Sequence, residues 1–424
     1  MKRSGLREGE HSREPLNQSA SWRWVPLRDI CAQDRCAVSP NESRAKERPY
    51  LSLEHIESKT GRIFHDASIP LEDGGNSTTF LFDSRHVLYG KLRPYLNKVA
   101  LPDFSGRCTT ELIPLLPCSE LTREFLALLL RRDVTVATAM RDKTGSRMPR
   151  ADLSTLMEME VPLPPLPLQR RIAAQLKEQL AEVDRARTAL QAQVAAAKAL
   201  PSAFLRAVFG DGDEQDTHAE WNWIRLRDLT ETCSGTTPPR GNPDFYGGAI
   251  PWVKTGELRD TIITTTEEHV TELALSKSSL RLLPAGTLLI AMYGQGQTRG
   301  RTGLLGCPAT TNQACFAILP DPSYDPDFMQ FWFRNSYQRL RLQTEGRGGN
   351  QPNLNGELLN EERVPLPPLS IQRSLAAHLR AEIDSATELR TILEARLATL
   401  EQFPAALLRQ VFGQTPQAAE NLHS

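Results

Sequence analysis

Long apolar runs are missing from this sequence of 424 residues. No stretch approaches the roughly 18 apolar residues a bilayer-spanning helix needs, and the opening MKRSGLREGEHSREPLNQSA is too charged for a signal-peptide core. A cytoplasmic chain with no membrane partner is expected, with residues 1–20 as a mobile polar lead-in. Cysteine is sparse and unpatterned. Cys31, Cys36, Cys108, Cys118, Cys233, Cys307 and Cys315 are odd in number, without a C-x-x-C pair or Cys/His clustering at zinc spacing, so reduced thiols are expected rather than disulfides or a metal site. A surplus of either charge is also absent: 50 Lys+Arg stand against 51 Asp+Glu, for a net charge of −1. That balance argues against a simple nucleic-acid coat but leaves room for a local basic face.

Catalytic signatures are lacking as well. There is no G-x-x-x-x-G-K-[ST] loop, no G-x-S-x-G elbow and no H-E-x-x-H pair. Gly294-x-Gly296-x-x-x-Gly300 has the wrong final spacing for a dinucleotide loop, and a hairpin or base-reading loop fits it better. Asn242-Pro243-Asp244-Phe245 resembles the tetrad of adenine methyltransferases, but Asp replaces its second proline and no cofactor loop precedes it, so it reads as a turn. The eight histidines are scattered. No catalytic, cofactor or metal site is expected in the chain.

What the sequence does contain is a duplication. VPLPPLPLQRRIAAQL at 161–176 returns as VPLPPLSIQRSLAAHL at 364–379, a shift of 203 with 11 of 16 positions identical. The closing LPSAFLRAVFG, ending at Gly210, returns as FPAALLRQVFG, ending at Gly413, and WRWVPLRDI is answered by WNWIRLRDL, pairing Trp24 with Trp223. Between these frames the segments diverge. Since 40% hydrophobic and 24% charged residues make an ordinary globular composition, two similar modules with different contents are expected.

The repeated segments read as amphipathic helices. Ile172, Leu176, Val183, Leu190 and Ala197 recur at spacings of four and seven, and the second copy gives Leu375, Leu379, Ala386, Leu389, Leu393 and Leu400 at spacings of three, four and seven. The narrow seams suit an antiparallel pair, although Gln179, Gln193, Glu382 and Arg396 interrupt the heptads. A helix over 168–200 would be about 50 Å long, a plausible ruler between modules, and Pro201 and Pro404 are expected to break the two helices. A hairpin that only dimerises the chain would show the same seam.

The variable segments read as mixed α/β, with strands in FLFDSRHVLYG, TLLIAMYG and ACFAIL and helices in LTREFLALLLRR and FMQFWFRNSYQRLRLQ. Polar donors gather in their loops. Lys91, Arg93, Tyr95 and Lys98 lie in GKLRPYLNK, which holds three cations and no acid; Arg147 and Arg150 lie in a second basic loop. In the second segment Gln295, Gln297, Arg299 and Arg301 follow the equivalent strand, suited to adenine and guanine edges. Arg347, Asn350 and Asn353 close that module, and Lys254 lies in IPWVKTGEL, matched with RPYLSLEHI in the first. Any one of these cations could equally be a solvated surface charge; their joint placement carries the weight.

The duplicated P-L-P-P-L-x-x-Q-R at 162–170 and 365–373, the long helix after each, the closing L-R-x-V-F-G and phrases such as YGKLRPYLNK together resemble the specificity subunits of type I restriction-modification systems. The resemblance covers nearly the whole chain after the first twenty residues. It implies an α+β fold: two mixed α/β target-recognition domains separated by two long helices forming an antiparallel coiled coil, with a pseudo-twofold internal repeat. The corresponding segments are a lead-in at 1–20, recognition domains at 21–152 and 221–355, helical spacers at 153–211 and 356–413, and a tail at 414–424. The resemblance further implies a non-catalytic chain that binds double-stranded DNA at the loop residues named. Methyltransferase subunits carrying S-adenosylmethionine would dock on the helices, where Leu176, Val183, Leu190, Leu379, Leu393 and Leu400 are the expected contacts. A restriction and translocation subunit would supply ATP and Mg chemistry. An assembly scaffold without DNA readout is the alternative.

Overall fold

The computed structural model describes residues 22–43, 48–64, 77–141, 147–210, 221–294, 297–343 and 353–413. The expected lead-in and tail, and the candidate residues Gln295, Arg347 and Asn350, lie outside them. Two compact units divide the chain, but not at one cut. The first comprises residues 1–190 with 396–424, and the second 191–395.

In the first unit the strand Val87–Gly90 lies between Leu112–Pro117 and Val99–Ala100, with Cys31–Gln33 at the far edge. The second unit repeats that order: Leu288–Ala291 lies between Cys315–Ile318 and Thr302–Leu305, with Thr232–Ser234 outside, and gains a parallel edge strand, Thr261–Ile263. These central strands are buried on both faces, which explains why they read as unbroken apolar runs. Val87 and Tyr89 join a core with the helix Arg123–Arg131, while Leu88 faces a second core with Leu51, Phe82 and Cys108. Leu288 and Ile290 against Leu289 and Ala291 divide in the same way.

The matched phrases RPYLSLEHI and IPWVKTGEL occupy matching places. Tyr50–Leu51 runs parallel to Gly106–Thr109, and Trp252 and Val253 run parallel to Thr310–Thr311. A short 3-10 turn follows each. All seven cysteines are free, and burial pushes the Cys31 thiol up to about 12.

The P-L-P-P-L-x-x-Q-R repeat is a lock. Trp24 pairs with Pro162, and Trp223 with Pro365, in equivalent two-stranded ribbons. Fully buried Gln169 donates to the carbonyls of Glu120 and Pro164 (2.8 Å each) and accepts the Thr122 amide (2.9 Å). Gln372 repeats this with Ser323 (3.3 Å), Pro367 (2.8 Å) and Asp325 (2.8 Å). Thr122 and Asp325 cap the helices Arg123–Arg131 and Pro326–Asn335. Each glutamine therefore ties the start of a long helix to a helix of its own module, with every polar atom of the buried amide in use.

The spacer helix is longer than expected. It runs from Leu166 to Phe209, 44 residues, with Pro201 inside it, so the break expected at Pro201 does not occur. In the second copy the distal helix Leu369–Leu400 does end, and a separate helix, Phe403–Phe412, begins with Pro404 in its first turn. The preceding residues account for the difference. Ala195, Ala196, Ala197, Lys198, Ala199 and Leu200 are strong helix formers that carry the chain past the lost N–H, whereas Pro404 sits where a helix starts and its missing donor costs nothing.

Burial on the distal helix follows a strict heptad. Gln372, Ala376, Leu379, Ile383, Ala386 and Leu393 are inside, while Leu389, expected in the seam, is 44% exposed. Each unit contains an antiparallel pairing. In the first, Ile172 and Leu176 at the start of the spacer helix share a core with Leu408, Val411 and Phe412 at the end of the chain. In the second, Leu205 and Phe209 at the spacer's end share a core with Ala376, Leu379 and Ile383, and Lys198 lies 3.5 Å from Glu394. The closing L-R-x-V-F-G of each copy thus completes the other copy's module. Phe412 packs edge-on against Trp22 and at 5.4 Å from Phe125; Phe209 packs at 5.3 Å from Phe328 and 5.7 Å from Trp332.

This packing corrects part of the expected partner surface. Leu176 (1% exposed), Leu379 (1%) and Leu393 (6%) are buried within the chain itself, because a heptad seam that pairs internally withdraws those side chains from another protein. Val183, Leu190 and Leu400 remain half-buried.

Candidate nucleic-acid interface

The two basic loops expected in the first module are laced together. Arg93 N–H donates to the Pro149 carbonyl (2.7 Å), Ala151 N–H donates to the Lys91 carbonyl (2.8 Å), and Leu92 bridges Arg150. The turn between Lys91 and Lys98 depends on Arg93 and Asn97, both in the left-handed region at φ 51° and 49°. Asparagine tolerates that region better than most residues, and its side chain donates to the Arg131 carbonyl at 2.8 Å. Main-chain bonds thus bring Lys91, Arg93, Arg147 and Arg150 to one place, with Tyr95 standing 49% exposed beside them.

These side chains are not equivalent. Arg150 is held by both oxygens of Glu111 (3.1 and 3.2 Å), and the Lys98 ammonium donates to the Leu53 carbonyl (2.6 Å), with burial moving its pKa down. Lys91, Arg93 and Arg147 form no ion pair among the described residues, and the enclosed Nε of Arg93 has no hydrogen-bond acceptor there. An unpartnered donor among uncompensated cations suits an anionic oxygen.

The second module brings the same places together. Leu354 N–H donates to the Met292 carbonyl (3.1 Å), joining the loop after the central strand to the segment containing exposed Asn353. Here the cations are engaged inside the protein. Arg299, expected to read guanine, is 6% exposed, which corrects that expectation: the loop folds back onto the helix Tyr337–Leu342, and Arg341 donates to the Arg299 carbonyl (3.0 Å). Arg301 pairs with Asp260, lies over the Tyr337 ring and donates to Oε1 of Gln297 (3.3 Å). Lys254 is pinned between Glu267 (2.9 Å) and Glu268 (3.0 Å), so it brings no excess positive charge. Gln297 stays on the surface, and Tyr293 is 39% exposed.

Sequence reasoning missed Asp260, Tyr337 and Arg341. Asp260 gave no signal, since its partners are 41 and 42 residues away. Tyr337 and Arg341 offered a faint one, an aromatic and a cation four apart on a helix, hence on one face.

Two modules of one design, each gathering polar loops at one place and locked to the start of a long helix, make up the chain. The sequence profile of the type I restriction modification DNA specificity domain matches residues 21–194 and 218–399, and the chain belongs to that family. It is 28% identical over 163 residues to the MjaIX specificity subunit of Methanocaldococcus jannaschii, covering 38% of this chain and 37% of that subunit. It is 29% identical over 205 residues to the EcoDI specificity subunit of Escherichia coli, covering 47% and 43%. The chain therefore spans less than half the length of these curated relatives in each match. Two solved structures share its fold. One chain, from work on complex assembly and conformational transition of the type I R-M system, has a TM-score of 0.76 at 22% identity, covering 92% of this chain and 97% of its own. The HsdS subunit from Thermoanaerobacter tengcongensis has a TM-score of 0.61 at 21% identity, covering 95% and 99%. Among the described residues no helix is long and apolar enough to cross a membrane.

Proposed function

We propose that this chain is the DNA-reading specificity subunit of a type I restriction-modification complex, binding an interrupted two-part sequence in double-stranded DNA. The observation that carries the reading is the duplicated interface: one scaffold, built twice, bringing equivalent loops together but filling them with different side chains. Lys91, Arg93 and Arg147 set affinity through phosphates, and exposed polar groups such as Gln297 and Asn353 contribute sequence readout. The chain itself is non-catalytic and works in the cytoplasm. Methyltransferase subunits bring S-adenosylmethionine, and a restriction and translocation subunit brings ATP and Mg. The helical pair acts as the ruler that sets the distance between half-sites.

The test is to express the chain with its methyltransferase partner and map methylated adenines. The expected result is an interrupted motif in which exchanging segment 22–152 or 221–355 changes one half only. Adding or deleting helical residues near Leu190 changes only the spacer. Methylation of one continuous motif, indifferent to either exchange, overturns the reading. Co-purification of the partner without any DNA footprint would favour a scaffold instead.

A further inference from the structure

Among the side chains around the second module's loop, Tyr337 occupies a distinctive place. Two guanidinium groups lie over its ring, with Arg301 5.4 Å and Arg341 5.3 Å from the centroid. Its hydroxyl donates to the Gln297 carbonyl at 2.7 Å. Gly300, at φ +86°, lies against the same ring, where a Cβ would come within 3.2 Å. The two arginines reach onward. Arg341 donates to the Arg299 carbonyl at 3.0 Å, and Arg301 donates to the side chains of Asp260 and Gln297. One phenol therefore holds residues 297–301 at both ends of the turn, directly and through the cations stacked on its ring.

At the shift of 203, Tyr337 corresponds to Val134 and Arg341 to Thr138, so neither an aromatic ring nor a stacked cation stands at those two positions of the first module. Main-chain bonds from Gly300 to Ala291 and from Arg301 to Thr298 close the second module's turn, and the Tyr337 stack is an added tie that holds only while its side chains stay in place.

We infer that Tyr337 is a positioning residue for sequence readout by the second module, holding Gln297 and its neighbours in the geometry that distinguishes bases without contacting DNA itself. This rests on the DNA-reading function proposed above. The stack assigns Arg301 and Arg341 to holding the loop. It also turns the Gln297 amide, whose oxygen accepts from Arg301, so that its NH2 is the group offered outward. The edge it suits is one presenting an acceptor, such as purine N7 or thymine O4.

The experiment uses the complex with the methyltransferase partner and duplexes carrying the mapped site, altered one base pair at a time in each half. The wild type is expected to discriminate against changes in either half by about ten-fold or more. Tyr337→Leu is expected to cut discrimination in the second module's half to below about three-fold while leaving the first half's intact. Tyr337→Phe, which keeps the ring and both stacked cations, is expected to restore most of it. Arg341→Gln, which leaves the core untouched, is expected to give a partial loss in the same half, and it decides the matter should Tyr337→Leu fail to fold. Full discrimination in the second half by Tyr337→Leu, or by Arg341→Gln where it decides, overturns the inference while the DNA-reading function stands. Equal losses in both halves by folded Tyr337→Leu overturn it too, since positioning is local. A wild-type complex indifferent to changes in both halves removes the parent function and this inference together.

Discussion

In the first module the loop after the central strand is held by its backbone, through the bonds of Arg93 to Pro149 and of Ala151 to Lys91. In the second, main-chain bonds from Gly300 to Ala291 and from Leu354 to Met292 are joined by side-chain ties through Asp260, Tyr337 and Arg341. The difference decides what each surface can offer. Backbone anchoring leaves Lys91, Arg93 and Arg147 without counter-charges among the described residues, so that surface is cationic. In the second module Arg301 and Lys254 are paired with carboxylates and Arg299 is buried, so that surface offers amides and an aromatic instead. A shared frame thus fixes where a reading surface lies without fixing its chemistry.

The comparison can be broken most forcefully at the exchanged anchors. Phe412→Ala and Phe209→Ala each empty a buried aromatic seat and should cost about 3–5 kcal/mol in urea denaturation. Equal losses support equivalent modules; a loss confined to one would end the equivalence. Next come the locks. Gln169→Leu and Gln372→Leu each leave one buried amide and two carbonyls without partners, which should cost about 1–3 kcal/mol by the same measurement. A smaller effect separates the two surfaces. Lys91→Ala should weaken binding to all duplexes alike and reduce the salt slope by about one. Lys254→Ala, already neutralised by Glu267 and Glu268, should leave that slope unchanged. The smallest is a pH effect. The Arg240 hydrogen bond, then Lys254, holds Glu268 below the ordinary glutamate value of 4.5. That stabilisation is present above the unfolded pKa and lost as pH falls through the folded one. A Tm difference between Glu268→Gln and the wild type should therefore exist at neutral pH and vanish in acid.

The frame was legible because it is written twice at one offset. The repeated Gln169 and Gln372 stand in the open within the duplication, although their role as locks needs the contacts to Thr122 and Asp325. Helix continuity past Pro201 was misread because a proline's cost was considered without the alanine-rich run before it. The seam register was off at Leu389 because a leucine was preferred over its true heptad position. The exchange of closing segments was invisible, since nothing local in LRAVFG or LRQVFG tells which copy it will join. The fate of the loop cations depended on partners far along the chain, as with Arg301 and Asp260. The joint placement of the loops was readable; the availability of each side chain was not.

Phe412 lies at the far end of the chain, yet its ring fills a seat lined by Trp22 and Phe125. During synthesis that seat must wait until residue 412 has been made. At about 5–20 residues per second, the span from Gly210 to Gly413 takes on the order of 10–40 s. The first module therefore stays unsealed on the ribosome until the chain has been made through Phe412, with an oily notch that nascent-chain helpers could cover.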